Sequence, residues 1–138
     1  MRVVIDTNCF LAIIPRISPY RPIFDAYRRQ EFELAVTTDI LQEYEEIFGR
    51  KMTPQIANNL LELIDRQPNT IFTQVFYRWN LICRDPDDNK HVDCAMAAGA
   101  DYIITNDGHF SDLDAVDFPV VRYISLQRFL EMVEIEGL

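Results

Sequence analysis

The sequence predicts an α/β fold in which helices cover a mainly parallel sheet, giving an α/β sandwich. Two short apolar runs, Val3-Val4-Ile5 and Tyr102-Ile103-Ile104, are typical of strands buried on both faces. Each run is followed by a polar segment that contains an aspartate. Segments with apolar residues at helical spacing lie between the strand-like runs, so strands and helices alternate along the chain, as in sheets built from βαβ units.

Amphipathic segments predict the helices of this sandwich. They cover residues 9–14, 23–29, 40–48, 52–66 and 88–99, and Ser125 is predicted to cap a last helix. Gly49 and Gly99 are predicted to end two of these helices, because glycine readily adopts the left-handed conformation of a helix C-terminus. Further strands are predicted at 32–36 and 120–123, and a polar turn or short helix at 109–116. Residues 71–83 are ambiguous, and only 81–83 are assigned as extended.

Length and composition predict a single domain over residues 1–138. The chain is 49% hydrophobic and contains only four glycines, which is sufficient for one compact core. The three cysteines, Cys9, Cys83 and Cys94, lack C-x-x-C spacing, so neither a disulfide framework nor a zinc site is expected. No apolar run reaches the length of a membrane span, and no signal peptide precedes the first strand. These features predict a soluble cytoplasmic protein.

The charge balance argues against a protein that grips nucleic acid by its overall charge. The formal net charge is −9, from 13 basic and 22 acidic residues. Residues 1–30 nevertheless contain five arginines and two acidic residues, so this segment carries +3 and the remainder carries −12. These arginines either form a local basic surface or are scattered, solvated side chains, and the sequence leaves both readings open.

Four acidic residues are predicted to meet beyond the carboxyl edge of the sheet. Asp6 and Asp107 follow the strands at 3–5 and 102–104, and ligands of open α/β sheets bind beyond this edge. Asp88 lies on the apolar stripe of its helix, and Glu43 lies on the edge of another such stripe, so both point toward the sheet. Unpaired carboxylates this close repel one another unless protons or cations neutralise them.

Oxygen donors arranged in this way suit Mg²⁺ or Mn²⁺, which bind carboxylates, water and substrate phosphates. The predicted chemistry is metal-assisted hydrolysis, in which the cation lowers the pKa of bound water and neutralises charge on phosphorus and on the leaving 3′-oxygen. Other polar residues near the acids are interpreted as surface, loop or core positions without a catalytic role. They are Glu45, Glu46, Asp85, Asp87, His91 and His109.

Four motifs together resemble those of PIN-domain proteins. They are V-V-I-D-T-N at the start, I-L-Q-E-Y-E-E-I around Glu43, D-P-D-D-N-K around Asp88, and A-M-A-A-G-A-D-Y-I-I-T-N-D ending at Asp107. The resemblance extends from residue 2 to the terminal helix and is closest to the toxins of toxin–antitoxin pairs. It implies a Rossmann-like, three-layer α/β/α PIN fold with strand order 3-2-1-4-5 and a Mg²⁺- or Mn²⁺-dependent endoribonuclease.

The resemblance also implies individual site residues. The catalytic, metal-binding acids are Asp6, Glu43, Asp88 and Asp107. The third of these is eleven positions before Gly99, as in the family pattern. Asp93 is either an outer metal ligand, acting through water, or a solvated helix position. Asn8 and Thr105 are similar to the polar residues that position the first and last acids by hydrogen bonding.

Membership of the toxin branch would imply an RNA substrate and an antitoxin that covers the acidic cleft with an inserted Arg or Lys. A homodimer is an open alternative to a monomer, because paired PIN subunits are common. Two further functions stay open. The chain could be a PIN-fold module that binds a metal or partner without useful catalysis. A phosphatase with Asp6 as nucleophile is disfavoured, since Asn8 stands where such enzymes need a second Asp.

Overall fold

Five parallel strands form one sheet at the centre of the protein, whose computed structural model describes residues 1–82 and 84–138. The strands are β1 (Arg2–Ile5), β2 (Glu33–Val36), β3 (Thr70–Phe72), β4 (Tyr102–Ile104) and β5 (Tyr123–Ile124). Their order is β3-β2-β1-β4-β5, and each neighbouring pair is parallel. The predicted α/β class and the strand order 3-2-1-4-5 are therefore confirmed.

Six α-helices connect and flank these strands in the described part of the chain. They are α1 (Thr7–Ile13), α2 (Arg21–Arg28), α3 (Thr38–Lys51), α4 (Pro54–Arg66), α5 (Asn89–Ala98) and α6 (Leu126–Glu131). Two 3₁₀ segments, Pro86–Asp88 and Gly108–Ala115, flank α5 and β4, and a π-helical turn, Met132–Glu136, follows α6. Among these described helices, none is long and apolar enough to cross a membrane.

The central pair of strands determines where the site lies. Val3, Val4 and Ile5 of β1 are at most 1% exposed, as a strand covered on both faces requires. Ile5 is in register with Ile104 of β4, and the backbone N–H of Asp6 donates to the Ile104 carbonyl over 3.1 Å. The residues that follow β1 and β4 therefore leave the sheet side by side at its carboxyl edge.

Glycine was predicted to end two helices, at Gly49 and at Gly99, but it ends only the second of them. Gly99 has a φ of 64° and caps α5, as expected. Gly49, in contrast, stays helical, and α3 continues to Lys51, so the predicted end at Phe48 is wrong. The chain instead becomes extended at Met52, immediately before Thr53 caps α4 through its side chain. The start of the next helix, and not the glycine, sets this boundary.

Two strand assignments are also corrected. The third strand is Thr70–Phe72, whereas residues 81 and 82 belong to no strand and Cys83 lies outside the described residues. The start of β3 is held in place by Asn69, the residue before it. The buried Asn69 side-chain amide donates to the carbonyls of Tyr27 and Phe32. The last strand pairs only at residues 123–124, although 120–123 was predicted.

Candidate active site

Asp6 is held by two hydrogen bonds at the carboxyl edge of the sheet. It caps α1, with one carboxylate oxygen accepting from the Cys9 backbone N–H at 2.9 Å and the other accepting from the Thr105 hydroxyl. The residue is 8% exposed. The Thr105 hydroxyl also accepts from the Asp107 backbone N–H at 3.0 Å, so it lies between the acids that follow β1 and β4. The positioning role that the resemblance implied for Thr105 stays a prediction, and these are the two hydrogen bonds through which it would act.

A cavity of about 270 Å³ opens beside Asp6. Asn8, Asn106 and Asp107 contribute to its wall, and Asn8 is exposed at the first turn of α1. The side-chain oxygen of Asn106 accepts from the Leu126 backbone N–H at 3.0 Å and so joins this loop to α6. Solvent or a ligand therefore reaches the edge of the sheet next to Asp6 and Asp107.

A cluster of three carboxylates and one imidazole lies at the start of α5, and we call it the acidic cluster. Its members are Asp85, Asp88, Asp107 and His109, and one potential ligand atom of each lies within 4.8 Å of the others. Asp88 precedes α5 but makes no capping hydrogen bond through its side chain. Its Oδ2 atom is buried and has no hydrogen-bond partner among the described residues. An ordinary cap residue would use this oxygen.

The charge of the acidic cluster is poorly compensated at Asp88. Burial raises the pKa of this carboxyl group most, the negative charges of Asp107 and Asp85 add to the effect, and the pKa reaches about 7. Asp6 contributes in the same direction, so its charge acts on the acidic cluster. A buried acid with negative neighbours and an unused oxygen is the environment that a bound cation would relieve.

Glu43 faces the same edge of the sheet from the second turn of α3, but its charge is already compensated. Its carboxylate accepts from the Thr7 hydroxyl and lies 3.2 Å from Lys90 Nζ. Burial alone would raise the pKa of Glu43, but the Thr7 hydrogen bond and the charges of His91 and Lys90 lower it below its usual value. Glu43 is thus ionised and held, although it is not one of the four residues of the acidic cluster.

His91 is a buried imidazole that lies beside Glu43. It is 3% exposed, its Nε2 lies 3.8 Å from Glu43 Oε2, and neither ring nitrogen has a hydrogen-bond partner among the described residues. Burial lowers the pKa of His91, while the charges of Asp6 and Glu43 oppose this shift without reversing it.

The structure gives Asp93 a use that the sequence did not predict. It is 3% exposed, so the reading as a solvated helix position is wrong. Its carboxylate accepts from the Trp79 backbone N–H at 3.0 Å, and it is not among the four residues of the acidic cluster. Burial is the first cause of its raised pKa. Asp93 thus anchors the irregular segment between β3 and α5.

We expect Asp93→Asn to keep metal affinity and stability nearly unchanged, because an amide oxygen still accepts from Trp79. Asp93→Ala should lower the free energy of unfolding by about 1 kcal/mol, because it removes the acceptor of the partly buried Trp79 N–H. Fluorescence of Trp79, the sole tryptophan, reports the anchoring of this segment. A loss of metal affinity in Asp93→Asn would instead support the outer-ligand reading.

Several residues at this edge were missed by the sequence reasoning, although weak signals pointed to them. Thr7 is part of the D-T-N motif, and Lys90 lies in the first turn of α5, directly after Asn89. His109 is brought back to Asp107 because Asp107 accepts from the His109 backbone N–H at 2.8 Å. An acid that caps a tight turn places the residue two positions later beside its own side chain.

The basic N-terminal segment is less positive than its composition suggests. Three of its five arginines form ion pairs within the described chain, at 2.6–3.2 Å: Arg2 with Glu33, Arg21 with Asp25, and Arg29 with Glu31. Such partly exposed pairs add little stability, but they neutralise the local charge. Arg16 and Arg28 are exposed and are the remaining positive residues of the segment.

Comparisons with known proteins match this architecture. Residues 2–109 match a family model described as PIN domain. The VapBC2 complex of Rickettsia felis, bound to a promoter DNA fragment, contains a chain with a TM-score of 0.64 and 14% identity. That match covers 91% of this chain and 98% of the other. A search of curated proteins gave no match.

Two further solved structures share the fold. VapBC-1 of nontypeable Haemophilus influenzae matches with a TM-score of 0.59 and 12% identity, over 92% of this chain and 99% of the other. FitAB bound to an IR36 DNA fragment matches with a TM-score of 0.57 and 14% identity, over 90% and 94%. At these identities the likeness concerns the fold alone.

Proposed function

Because the chain belongs to the PIN domain family, we propose that it is an endoribonuclease that hydrolyses RNA phosphodiester bonds with Mg²⁺ or Mn²⁺. The observation that carries this proposal is the buried, unpartnered Asp88 oxygen among like charges. Such an arrangement is unfavourable in an empty site and favourable around a cation. Asp6, Asp88 and Asp107 are the proposed ligands, with Glu43 completing the acidic edge.

When bound, the cation would lower the pKa of a water molecule and neutralise charge on the phosphate and on the leaving 3′-oxygen. The side chains of this protein supply fixed geometry around it. Asp6 is held by the Cys9 N–H and the Thr105 hydroxyl, so its carboxylate needs little reorganisation to bind. Glu43, whose pKa is lowered, is suited to orient water or the cation through its charge and is a weak proton acceptor.

Cleavage of RNA by the purified protein should therefore depend on added divalent cation. We expect no cleavage in EDTA, recovery in Mn²⁺ or Mg²⁺, and products that carry 5′-phosphate and 3′-hydroxyl ends. The end groups distinguish this reaction from contaminating ribonucleases that use the 2′-hydroxyl and leave a cyclic phosphate. Cleavage that persists in EDTA, or only cyclic-phosphate products, would reject the proposed activity. A protein that binds cation without cleaving any RNA would favour the non-catalytic module.

We further propose that this nuclease is the toxin of a toxin–antitoxin pair. The structural matches to VapBC and FitAB complexes support the proposal, as does the acidic cluster, which a basic side chain of a partner would neutralise. Expression of the chain alone should slow growth, and co-expression of the neighbouring gene's product should relieve this. If that product neither copurifies nor relieves inhibition, the toxin role fails while the nuclease proposal stands.

A further inference from the structure

The imidazole of His109 points into the three carboxylates of the acidic cluster. Its Nδ1 atom lies 3.3 Å from Asp107 Oδ1, 3.7 Å from Asp85 Oδ2 and 3.8 Å from Asp88 Oδ2. This nitrogen is buried and has no hydrogen-bond partner among the described residues, although the side chain as a whole is 43% exposed. The turn that presents it is fixed, because the His109 backbone N–H donates to Asp107.

The spacing of these four atoms fits the coordination sphere of one cation. An ion about 2.1–2.3 Å from each ligand holds adjacent ligand atoms about 3.0–3.3 Å apart and opposite ones about 4.2–4.6 Å apart. The 3.3 Å distance from Nδ1 to Asp107 equals the adjacent spacing, the distances of 3.7 and 3.8 Å to Asp85 and Asp88 lie between the two spacings, and all four atoms lie within 4.8 Å of one another. Small side-chain movements are therefore sufficient to close the site.

The donor set also bears on which ion binds. Carboxylate oxygens suit Mg²⁺ and Mn²⁺, whereas an imidazole nitrogen is a poor ligand for Mg²⁺ and a common one for divalent transition ions. On the premise of the proposed function, that a cation occupies this edge, we propose that His109 Nδ1 is one of its ligands. The site then prefers a divalent transition ion, such as Mn²⁺, to Mg²⁺. Asp85, which sequence reasoning treated as a loop acid, is a further ligand.

The competing explanation is that His109 is protonated and acts as an internal counter-charge for the carboxylates. The two explanations differ in what removal of the ring does. An imidazolium competes with the cation, so its removal would leave the affinity for both ions unchanged or raise it. A nitrogen ligand contributes to binding, so its removal would weaken Mn²⁺ binding selectively.

The test uses the RNA-free protein with Mn²⁺ or Mg²⁺ alone. Pulsed electron paramagnetic resonance of bound Mn²⁺ should detect nitrogen hyperfine coupling in the wild type, and calorimetry should give tighter binding of Mn²⁺ than of Mg²⁺. His109→Phe, which keeps the volume of a half-exposed ring, should abolish the coupling. It should also weaken Mn²⁺ binding about 10–100-fold while changing Mg²⁺ binding by less than about 3-fold.

Asp87→Asn is the matched control for Asp85→Asn, because both remove one charge from the same turn and Asp87 is outside the acidic cluster. Asp85→Asn should weaken Mn²⁺ binding more than Asp87→Asn does. Bound Mn²⁺ without nitrogen coupling, coupling that survives in His109→Phe, or equal or tighter binding of both ions in that variant would each overturn the proposal. RNA cleavage in Mg²⁺ would in that case still support the nuclease proposal, so the two failures are distinguishable.

Discussion

Asp107→Asn should reduce metal-dependent RNA cleavage at least about 100-fold while the protein stays folded. The asparagine oxygen can still accept from the His109 backbone N–H, so the turn after β4 is kept. The substitution removes one negative charge beside Asp88, where we propose that the cation binds. Cleavage rates in Mn²⁺, together with circular dichroism and thermal melts, separate loss of activity from loss of fold.

Asp87→Asn is the control for this experiment as well. Asp87 is an exposed aspartate directly before Asp88, so its replacement by asparagine makes the same chemical change as Asp107→Asn. It is not part of the acidic cluster. We expect its cleavage rate to stay within about 3-fold of wild type, because an exposed charge acts weakly through solvent. Activity that survives Asp107→Asn would contradict the proposed site. An equal loss in Asp87→Asn would mean that general charge, and not ligation, is being measured.

Asp88→Asn should make the metal-free protein more stable, although it should abolish cation binding. The Asp88 side chain is 15% exposed, and the pKa of about 7 means that ionisation is unfavourable in the folded state. Asparagine removes this unfavourable charge. Above pH 7 we expect the free energy of unfolding to rise by about 1–3 kcal/mol. This is less than the energy equivalent of the whole pKa shift, because the Asp88 side chain is partly solvated.

The pH dependence of this gain has a defined sign. Below the ordinary aspartate pKa of 3.8, Asp88 is protonated in both the folded and the unfolded state, and the substitution has little effect. Between that pH and about 7, the unfolded chain is ionised while the folded protein retains the proton, so wild type loses stability relative to Asp88→Asn as pH rises. Thermal melts in EDTA from pH 4 to 8 measure the difference.

Added divalent cation should make wild type more stable than Asp88→Asn, which is the reverse of the order expected in EDTA. Mn²⁺ should raise the melting temperature of wild type and leave Asp88→Asn nearly unchanged, because a ligand that binds only the folded state stabilises it. An Asp88→Asn variant that is less stable than wild type at every pH in EDTA would show that Asp88 is a structural cap. Such a result would remove it from the proposed ligands. The expected trade between stability and function is common at active sites.

The sequence was sufficient for the architecture where local and tertiary signals agree. Val3-Val4-Ile5 is apolar on both faces because β1 is central, so composition alone identified the strand. The edges of the sheet carry weaker signals. β5 forms only two paired residues, and β3 is fixed by the Asn69 side chain, a contact that no sequence pattern encodes. Propensity rules fail where such tertiary contacts decide the pairing.

Helical periodicity anticipated the different surroundings of Asp88 and Asp93 only in part. It put Asp88 on the inner stripe, and the carboxyl group is indeed partly buried at the start of α5. For Asp93 the sequence allowed a solvated helix position, yet the residue is buried and accepts a hydrogen bond from the irregular segment at Trp79. The helix pattern describes a helix against a sheet and contains no information about a loop that covers its outer side.

The sequence also could not predict that Lys90 compensates the charge of Glu43. Lys90 is 47 residues away in sequence, and only the packing of α5 beside α3 brings the two charges within 3.2 Å. His109 was missed for a different reason, since its partners Asp85 and Asp88 precede it by a helix and a strand. Side chains meet here because separate segments converge on one edge of the sheet, which the sequence reveals only for residues directly attached to the strands.

The most direct test of the account is a crystal structure of the protein soaked in Mn²⁺, with the ion located by its anomalous scattering. We expect a peak at the carboxyl edge of the sheet, with oxygens of Asp6, Asp88 and Asp107 about 2.0–2.4 Å from it. A saturated crystal with no peak there, or with the ion held only by acids elsewhere on the surface, would contradict it.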